Sequence, residues 1–157
     1  MHRITLEVNG QVREVNLEPH YSLLRVLREE LGLAGPKRGC DTGGCGCCSV
    51  LVDSRVMYSC MVFAMSCVGK KITTIEGLEV NGKLDVLQDT FVRAGAVQCG
   101  YCIPGFIMAS KDLLSRNRSP SEEEISQAIA GNLCRCTGYL KIIEAIMIAA
   151  KKSGEVG

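Results

Sequence analysis

Gly39-Cys40-Asp41-Thr42-Gly43-Gly44-Cys45-Gly46-Cys47-Cys48 is the stretch that decides the fold, and Cys60 follows it downstream. The spacing Cys40-x4-Cys45-x2-Cys48 with one later cysteine is typical of a glycine-rich loop around a [2Fe-2S] cluster of the plant ferredoxin type. Thiolates suit this role because iron in such clusters prefers soft sulfur ligands. The loop glycines can take positive φ and bring backbone N–H groups close to sulfur; they are Gly39, Gly43, Gly44 and Gly46. The stretch therefore predicts four ligands to one cluster, namely Cys40, Cys45, Cys48 and Cys60.

Cys47 and Cys48 stand side by side, and only one of them can be the third ligand of the loop. The plant-type spacing leaves two residues after Cys45, which selects Cys48. Because adjacent residues of an extended segment point to opposite sides, we expect Cys47 to face away from the cluster.

The composition is typical of a globular protein without a nucleic-acid partner. Basic and acidic residues nearly cancel, at 18 against 17, so no broad basic surface is available for nucleic acid. The first residues show no export signal. The longest apolar run is interrupted by Glu144, so we expect no membrane span. We expect a cytoplasmic protein.

The ten cysteines of the chain are more typical of metal ligands than of disulfides in a reducing cytosol. A disulfide framework is the weaker alternative, because no export signal accompanies it. Structural zinc is the stronger alternative, since Cys99-x2-Cys102 and Cys134-x-Cys136 could supply four thiolates. The plant-type loop in the same chain favours iron–sulfur chemistry.

The start of the chain predicts a hairpin followed by one helix. Apolar and polar residues alternate on both sides of Asn9-Gly10, which predicts two strands joined by a type I′ turn. Ser22 is the expected N-cap of an amphipathic helix that ends at Gly32.

Residues after the cysteine loop add strands to the same sheet. Two strands are expected around a turn at Asp53-Ser54, followed by one short helix over 61–68 and a strand over 71–75. A sheet of four or five strands crossed by one helix is the β-grasp arrangement of plant-type ferredoxins. Residues 1–76 are thus predicted to form a first domain, with a linker over 77–83.

The remaining residues, 84–157, predict a helical second domain. Four helices are expected, at about 84–95, over 107–114, from Ser121 to near Gly131, and at about 139–152. Two cysteine pairs lie at the first and third junctions between these helices. The junctions would bring together Cys99, Cys102, Cys134 and Cys136, which suits a second metal centre.

Two motifs around these cysteines resemble those of a known family. They read Val97-Gln98-Cys99-Gly100-Tyr101-Cys102-Ile103-Pro104-Gly105 and Gly131-Asn132-Leu133-Cys134-Arg135-Cys136-Thr137-Gly138-Tyr139. Both resemble signatures of the small iron–sulfur subunit of the xanthine oxidase family of molybdenum hydroxylases, and the resemblance covers about Ile4 to Ile148. It implies an α+β protein with an N-terminal ferredoxin-like β-grasp domain and a C-terminal all-α four-helix bundle, each carrying one [2Fe-2S] cluster.

The resemblance also implies a role for each cysteine set. The cluster far from molybdenum would be held by Cys40, Cys45, Cys48 and Cys60, and the near cluster by Cys99, Cys102, Cys134 and Cys136. Gln98 and Cys136 would approach the pterin of the molybdenum cofactor, which belongs to a large partner subunit. Three positions depart from the family pattern without removing a ligand: Cys47 for alanine, Ser54 for a turn glycine, and Ile103 for threonine.

The function implied by the resemblance is electron transfer within a multi-subunit molybdenum hydroxylase. The large subunit would insert a water-derived oxygen into a C–H bond of the substrate. This chain would pass the electrons to FAD on a medium subunit or to another acceptor, within a dimer of heterotrimers.

The substrate of such a complex is not encoded in this chain. Family members act on purines, nicotinate and related N-heterocycles, aldehydes, carbon monoxide and an aromatic acyl-CoA, and we expect an aromatic heterocycle or an aryl-CoA. A free two-cluster ferredoxin that shuttles between enzymes is the alternative function. The motifs of Gln98 and Cys136 disfavour it, because they have no purpose in a mobile carrier.

Overall fold

A computed structural model describes residues 1–154. Positions 155–157 of the predicted second domain lie outside the described residues. The described chain is α+β, as predicted, with a small mixed sheet in its first half and α-helices over most of its second half. Within this range, every helix is too short or too polar to cross a membrane.

Five strands form the sheet, in the order β2-β1-β5-β3-β4. β1 and β5 pair in parallel, and the other neighbours pair antiparallel. The strands are β1 (His2–Val8), β2 (Gln11–Leu17), β3 (Ser49–Val52), β4 (Arg55–Tyr58) and β5 (Lys71–Thr73).

Both predicted hairpin turns are confirmed. Asn9 and Gly10 have φ of 52° and 73°, the pair of positive values that a type I′ turn requires. Asp53 and Ser54 have φ of 49° and 66°. Ser54 therefore occupies a left-handed conformation that a glycine would adopt at lower cost.

The helix predicted after Ser22 is present but changes its hydrogen bonding. α1 (Leu23–Arg25) begins where the Ser22 side chain accepts a hydrogen bond from the Arg25 amide, at 3.2 Å. The chain then continues as a π-helical turn, Val26–Glu30, in which the Leu31 amide donates to the Val26 carbonyl at 3.0 Å. The segment ends before Gly32, which has a φ of 69°.

The prediction of one helix over 61–68 is wrong. The chain instead forms two short 3₁₀ turns, Ser59–Met61 and Ala64–Cys67, separated by extended residues. The extended backbone pairs with the start of α1, because Leu23 N–H donates to Val62 at 2.7 Å and Ala64 N–H donates to Tyr21 at 3.0 Å. A continuous helix would lose these long-range bonds, which no local pattern reveals.

Four α-helices follow residue 85, as predicted, with different bounds: α2 (Val86–Arg93), α3 (Ile103–Arg116), α4 (Glu122–Ala128) and α5 (Leu140–Gly154). α3 begins earlier than predicted because Pro104 lies in its first turn, where a missing N–H costs nothing. α4 begins with the predicted capping box of Ser121 and Glu124. A second capping box, of Asp85 and Gln88, begins α2.

Two hydrophobic cores stabilise the described chain. One core lies between the sheet and α1, and Cys67 is buried in it. The other lies among the four later helices, but Cys47 and Leu51 from the first half of the chain also belong to it. The sheet and the helices are therefore packed against each other.

A buried carboxylate adds a polar contact between the two halves. Asp112 of α3 is 3 % exposed, and its oxygens lie 3.2 Å from Arg55 Nε of β4 and 3.1 Å from Arg116 Nη2. Because a buried charge without a partner is costly, both guanidinium groups stabilise this position. The contact holds α3 against β4, the outer strand of the sheet.

Candidate metal centres

The predicted loop directs backbone N–H groups at one thiol of the first cysteine set, that of Cys40. The amides of Thr42 and Gly44 point at Cys40 Sγ, at 3.4 and 3.3 Å. Hydrogen bonds from the Thr42 side chain and backbone, with one from Cys45, lower the pKa of the exposed Cys40 thiol to about 6. Cys40 is thus poised to act as a thiolate, the form that binds iron.

Not all loop glycines take positive φ, the role that the sequence of the loop predicts for them. Gly43 and Gly46 have positive φ, of 78° and 70°, but the third left-handed residue of the loop is Asp41, with a φ of 61°. Gly39 is required for space instead, because a Cβ there would lie 2.7 Å from Cys45 Sγ. Close approach of the thiol therefore excludes a side chain at Gly39.

The β3–β4 hairpin brings Cys60 back to Cys48. Ser49 at the start of β3 pairs with Tyr58 at the end of β4. Ser59 then donates its N–H and its hydroxyl to the Cys48 carbonyl, at 3.3 and 2.6 Å. The Cys48 and Cys60 thiols are hydrogen-bonding neighbours, and burial, followed by this contact, raises the pKa of Cys60 to about 12.

The second cysteine set forms where the α2–α3 and α4–α5 junctions meet. Cys136 Sγ lies 3.6 Å from Cys99 Sγ, and both residues are exposed. Cys102 and Cys134 are also hydrogen-bonding neighbours, and burial is the main cause that raises the pKa of Cys102 to about 12.

Thr137 and Tyr139 support the second set, a role that the cysteine motifs did not predict. Thr137 donates its N–H and its hydroxyl to Cys134 Sγ, at 3.4 and 3.1 Å. Burial raises the pKa of Cys134, but these bonds outweigh it and lower the pKa below its ordinary value. The Tyr139 hydroxyl accepts from the Cys134 amide at 3.0 Å. Hydroxyl residues close in sequence to a predicted thiolate ligand were the signal from which this supporting role could have been predicted.

Among the eight predicted ligands, the Cys136 and Cys99 thiols lie 3.6 Å apart. Two thiolates on one tetrahedral metal lie about 3.8 Å apart when its bonds to sulfur are about 2.3 Å long. Within residues 1–154, no three cysteine, histidine or acidic side chains converge on a single metal position. The separation of the Cys99 and Cys136 thiols suits two thiolates on one metal ion, as each iron of a [2Fe-2S] cluster requires.

Comparisons with known proteins agree with two [2Fe-2S] sites in this chain. Residues 6–70 match the 2Fe-2S iron-sulfur cluster binding domain, and residues 74–147 match the [2Fe-2S] binding domain. The chain is 45% identical over 149 residues to the nicotinate dehydrogenase small FeS subunit of Eubacterium barkeri, covering 95% of each chain. The chain belongs to the small iron–sulfur subunits of the xanthine oxidase family.

Solved structures of this family share the fold of the whole chain. Quinoline 2-oxidoreductase from Pseudomonas putida 86 contains a chain that superposes with a TM-score of 0.94 at 42% identity, with 98% of this chain and 96% of that chain covered. Aldehyde oxidoreductase from Desulfovibrio gigas matches all of this chain with a TM-score of 0.94 at 39% identity, but only 18% of its own chain is covered. In that protein the same fold is one part of a longer polypeptide.

Cys47, which stands where the family commonly has alanine, lies between the two sets. It is buried in the core of the helices, and burial, followed by the charge of Cys45, raises its pKa to about 12. Its Sγ points to the Cys45 carbonyl at 4.0 Å, and its thiol is also a neighbour of the Cys45 thiol. The choice of Cys48 over Cys47 as the ligand therefore stays a prediction.

Gln98 and Cys136, predicted to approach a cofactor of the large subunit, are both exposed. Apolar side chains on the same loops and at the start of α5 are also exposed by two-fifths or more: Val97, Tyr101, Leu133 and Leu140. The Tyr101 hydroxyl donates to the Arg38 carbonyl at 2.7 Å, which ties this surface to the first loop. An exposed thiol pair within a partly apolar surface suits contact with another protein.

Proposed function

We propose that this chain is the electron-transfer subunit of a multi-subunit molybdenum hydroxylase, with one [2Fe-2S] cluster on each cysteine set. The observation that carries the proposal is the match of residues 6–70 and 74–147, which contain the two four-cysteine sets, to two [2Fe-2S] binding domains. Cys40, Cys45, Cys48 and Cys60 are the proposed ligands of the first cluster, and Cys99, Cys102, Cys134 and Cys136 those of the second. Each cluster, when bound, accepts and releases one electron.

The protein contributes ligands, burial and hydrogen bonds to sulfur. The amides of Thr42 and Gly44 at Cys40, and the Thr137 donors at Cys134, stabilise negative charge on sulfur. A difference of ~100 mV between two sites is worth about 2.3 kcal/mol for one electron. Hydrogen bonds to a charged group contribute about 1.5–3 kcal/mol, so contacts of this kind can set the direction of electron flow.

The second set is the proposed entry point for electrons. Its exposed pair, Cys99 and Cys136, lies beside Gln98 in a partly apolar surface that would dock on the large subunit carrying the molybdenum cofactor. The Gln98 amide can donate and accept hydrogen bonds, which suits the edge of a pterin. Electrons would leave from the first set to FAD on a medium subunit, within a dimer of heterotrimers.

The finer description of the fold is also a proposal. We propose a β-grasp domain over 1–76, a linker over 77–83 and a four-helix-bundle domain over 84–157. The strand order supports the β-grasp proposal, and the hydrophobic core between the sheet and α1 supports a first domain with a core of its own. We also propose a cytoplasmic location, because iron–sulfur ligands and not disulfides are the expected use of so many cysteines in a reducing compartment.

The proposed substrate class is an aromatic N-heterocycle. Nicotinate dehydrogenase and quinoline 2-oxidoreductase, two of the relatives, are named for such compounds. The test is to purify the chain with an affinity tag from its own cells and to add candidate substrates without oxygen. We expect a larger subunit to co-purify, and the visible absorption of the clusters to bleach with a heterocycle such as nicotinate.

The same experiment separates this function from that of a free ferredoxin. Aldehydes, purines, aryl-CoA thioesters and carbon monoxide serve as the competing substrates. A chain that purifies alone, and stays oxidised with every substrate class, would contradict membership of a hydroxylase complex.

A further inference from the structure

The two cysteine sets meet at a short junction between two backbone segments. Cys45 and Gly46 belong to the first loop, and Asn132 and Leu133 lead directly to Cys134 of the second set. The Leu133 amide donates to the Cys45 carbonyl at 2.9 Å, and the Asn132 side-chain amide donates to the Gly46 carbonyl at 3.0 Å. A ligand of each predicted cluster is thus within two residues of this contact.

Asn132 is a buried polar residue, only 3 % exposed, and its bond is not needed to satisfy the loop. The Gly46 carbonyl also accepts from the Ser49 amide at 3.1 Å and from the Ser49 hydroxyl at 2.7 Å. The first loop would therefore keep its own hydrogen bonds without Asn132. The Asn132 hydrogen bond instead joins the two halves of the chain.

Gly46 and Gly105 leave space for the Asn132 side chain because neither has a Cβ. A Cβ on Gly46 would lie 2.6 Å from Asn132 Nδ2 and 2.6 Å from the Gly131 carbonyl, and Gly46 also has a positive φ of 70°. A Cβ on Gly105, in the first turn of α3, would overlap the Gly46 carbonyl and lie 3.1 Å from Asn132 Nδ2. The side chain is held on several sides, so its amide has a fixed position.

We propose that Asn132 is a positioning residue that fixes the separation between the two cysteine sets and thereby the rate of electron passage between them. The inference rests on the proposed function, because it requires a cluster on each set. In the step concerned, one electron is lost at the second set and gained at the first, and no bond or proton changes. The rate of such a transfer falls steeply with distance, so a looser junction slows it.

Asn132→Leu in the purified complex tests the proposal, because leucine has nearly the shape of asparagine but cannot donate a hydrogen bond. We expect full iron content, unchanged reduction potentials, and the separate paramagnetic signals of both clusters. We expect a weaker magnetic interaction between the two reduced clusters and a several-fold slower transfer between them after rapid reduction. Asn117→Leu is the matched control, since the Asn117 side chain bonds Glu124 at 3.1 Å, away from both sets; it should leave all of these quantities unchanged.

Asn132→Ala provides a second variant if leucine disturbs the packing. Unchanged magnetic interaction and transfer rate in a variant that holds both clusters would overturn the proposal. Loss of a cluster in both variants would also overturn it, because Asn132 would then serve assembly and not positioning. A wild-type chain that shows only one cluster would instead contradict the proposed function.

Discussion

Replacing Cys48 with alanine is expected to remove the first cluster and about half of the iron, because each [2Fe-2S] cluster holds about two of the four atoms. Cys48 is buried, and its carbonyl is bonded to Ser59 next to Cys60. The variant therefore loses one ligand of a pair that the hairpin holds in place. Since ligation and folding are coupled, the sheet should also unfold at a lower temperature.

Cys47→Ala is the matched control for this prediction. It removes the neighbouring buried thiol and exchanges it for the residue that the family commonly has, so iron content and visible absorption should stay almost unchanged. Iron analysis and the absorption spectrum of both variants provide the measurement. If the Cys47 change lowers the iron content and the Cys48 change does not, Cys47 is the third ligand of the loop and the proposed ligand set is wrong.

Cys136→Ser is expected to perturb or remove the second cluster and to block the flow of electrons from substrate to the external acceptor. Cys136 Sγ lies 3.6 Å from Cys99 Sγ on the exposed surface proposed to face the large subunit. A serine hydroxyl is a harder and more weakly acidic ligand than a thiol, so it holds iron poorly at this position. The plant-type signal of the first cluster should remain.

Gln98→Ala on the same surface is the milder comparison, because it removes hydrogen bonds and no ligand. Paramagnetic resonance of the reduced complex, with the rate of acceptor reduction, measures both variants. If Cys136→Ser eliminates the plant-type signal and spares the other, the two clusters have been assigned in reverse order.

Local patterns predicted the parts of the fold that depend on neighbouring residues. The turn at Asn9-Gly10 and the capping box at Ser121 follow from short-range chemistry, and both are present as predicted. The helix over 61–68 failed because bonds from Leu23 and Ala64 join segments far apart in the sequence. Apolar residues alone cannot distinguish a helix from a segment held by such contacts.

The candidate sites also combine features that local sequence predicts with features that depend on long-range packing. Cysteine spacing predicted both sets, and within the second set the Cys136 and Cys99 thiols lie 3.6 Å apart. Cysteine spacing did not indicate that Gly39 leaves space for the Cys45 thiol, or that Asn132 donates to the Gly46 carbonyl. Those roles depend on the packing of one half of the chain against the other, which no motif records.

Analysis of iron and acid-labile sulfide in the purified, fully folded chain tests the central claim most directly. We expect about four atoms of each per chain, and two distinguishable paramagnetic signals after reduction. Zinc in place of iron would leave the protein colourless, because its d shell is filled. About two iron atoms with a single signal at full occupancy, or a zinc-containing colourless chain, would contradict the claim that both cysteine sets hold [2Fe-2S] clusters.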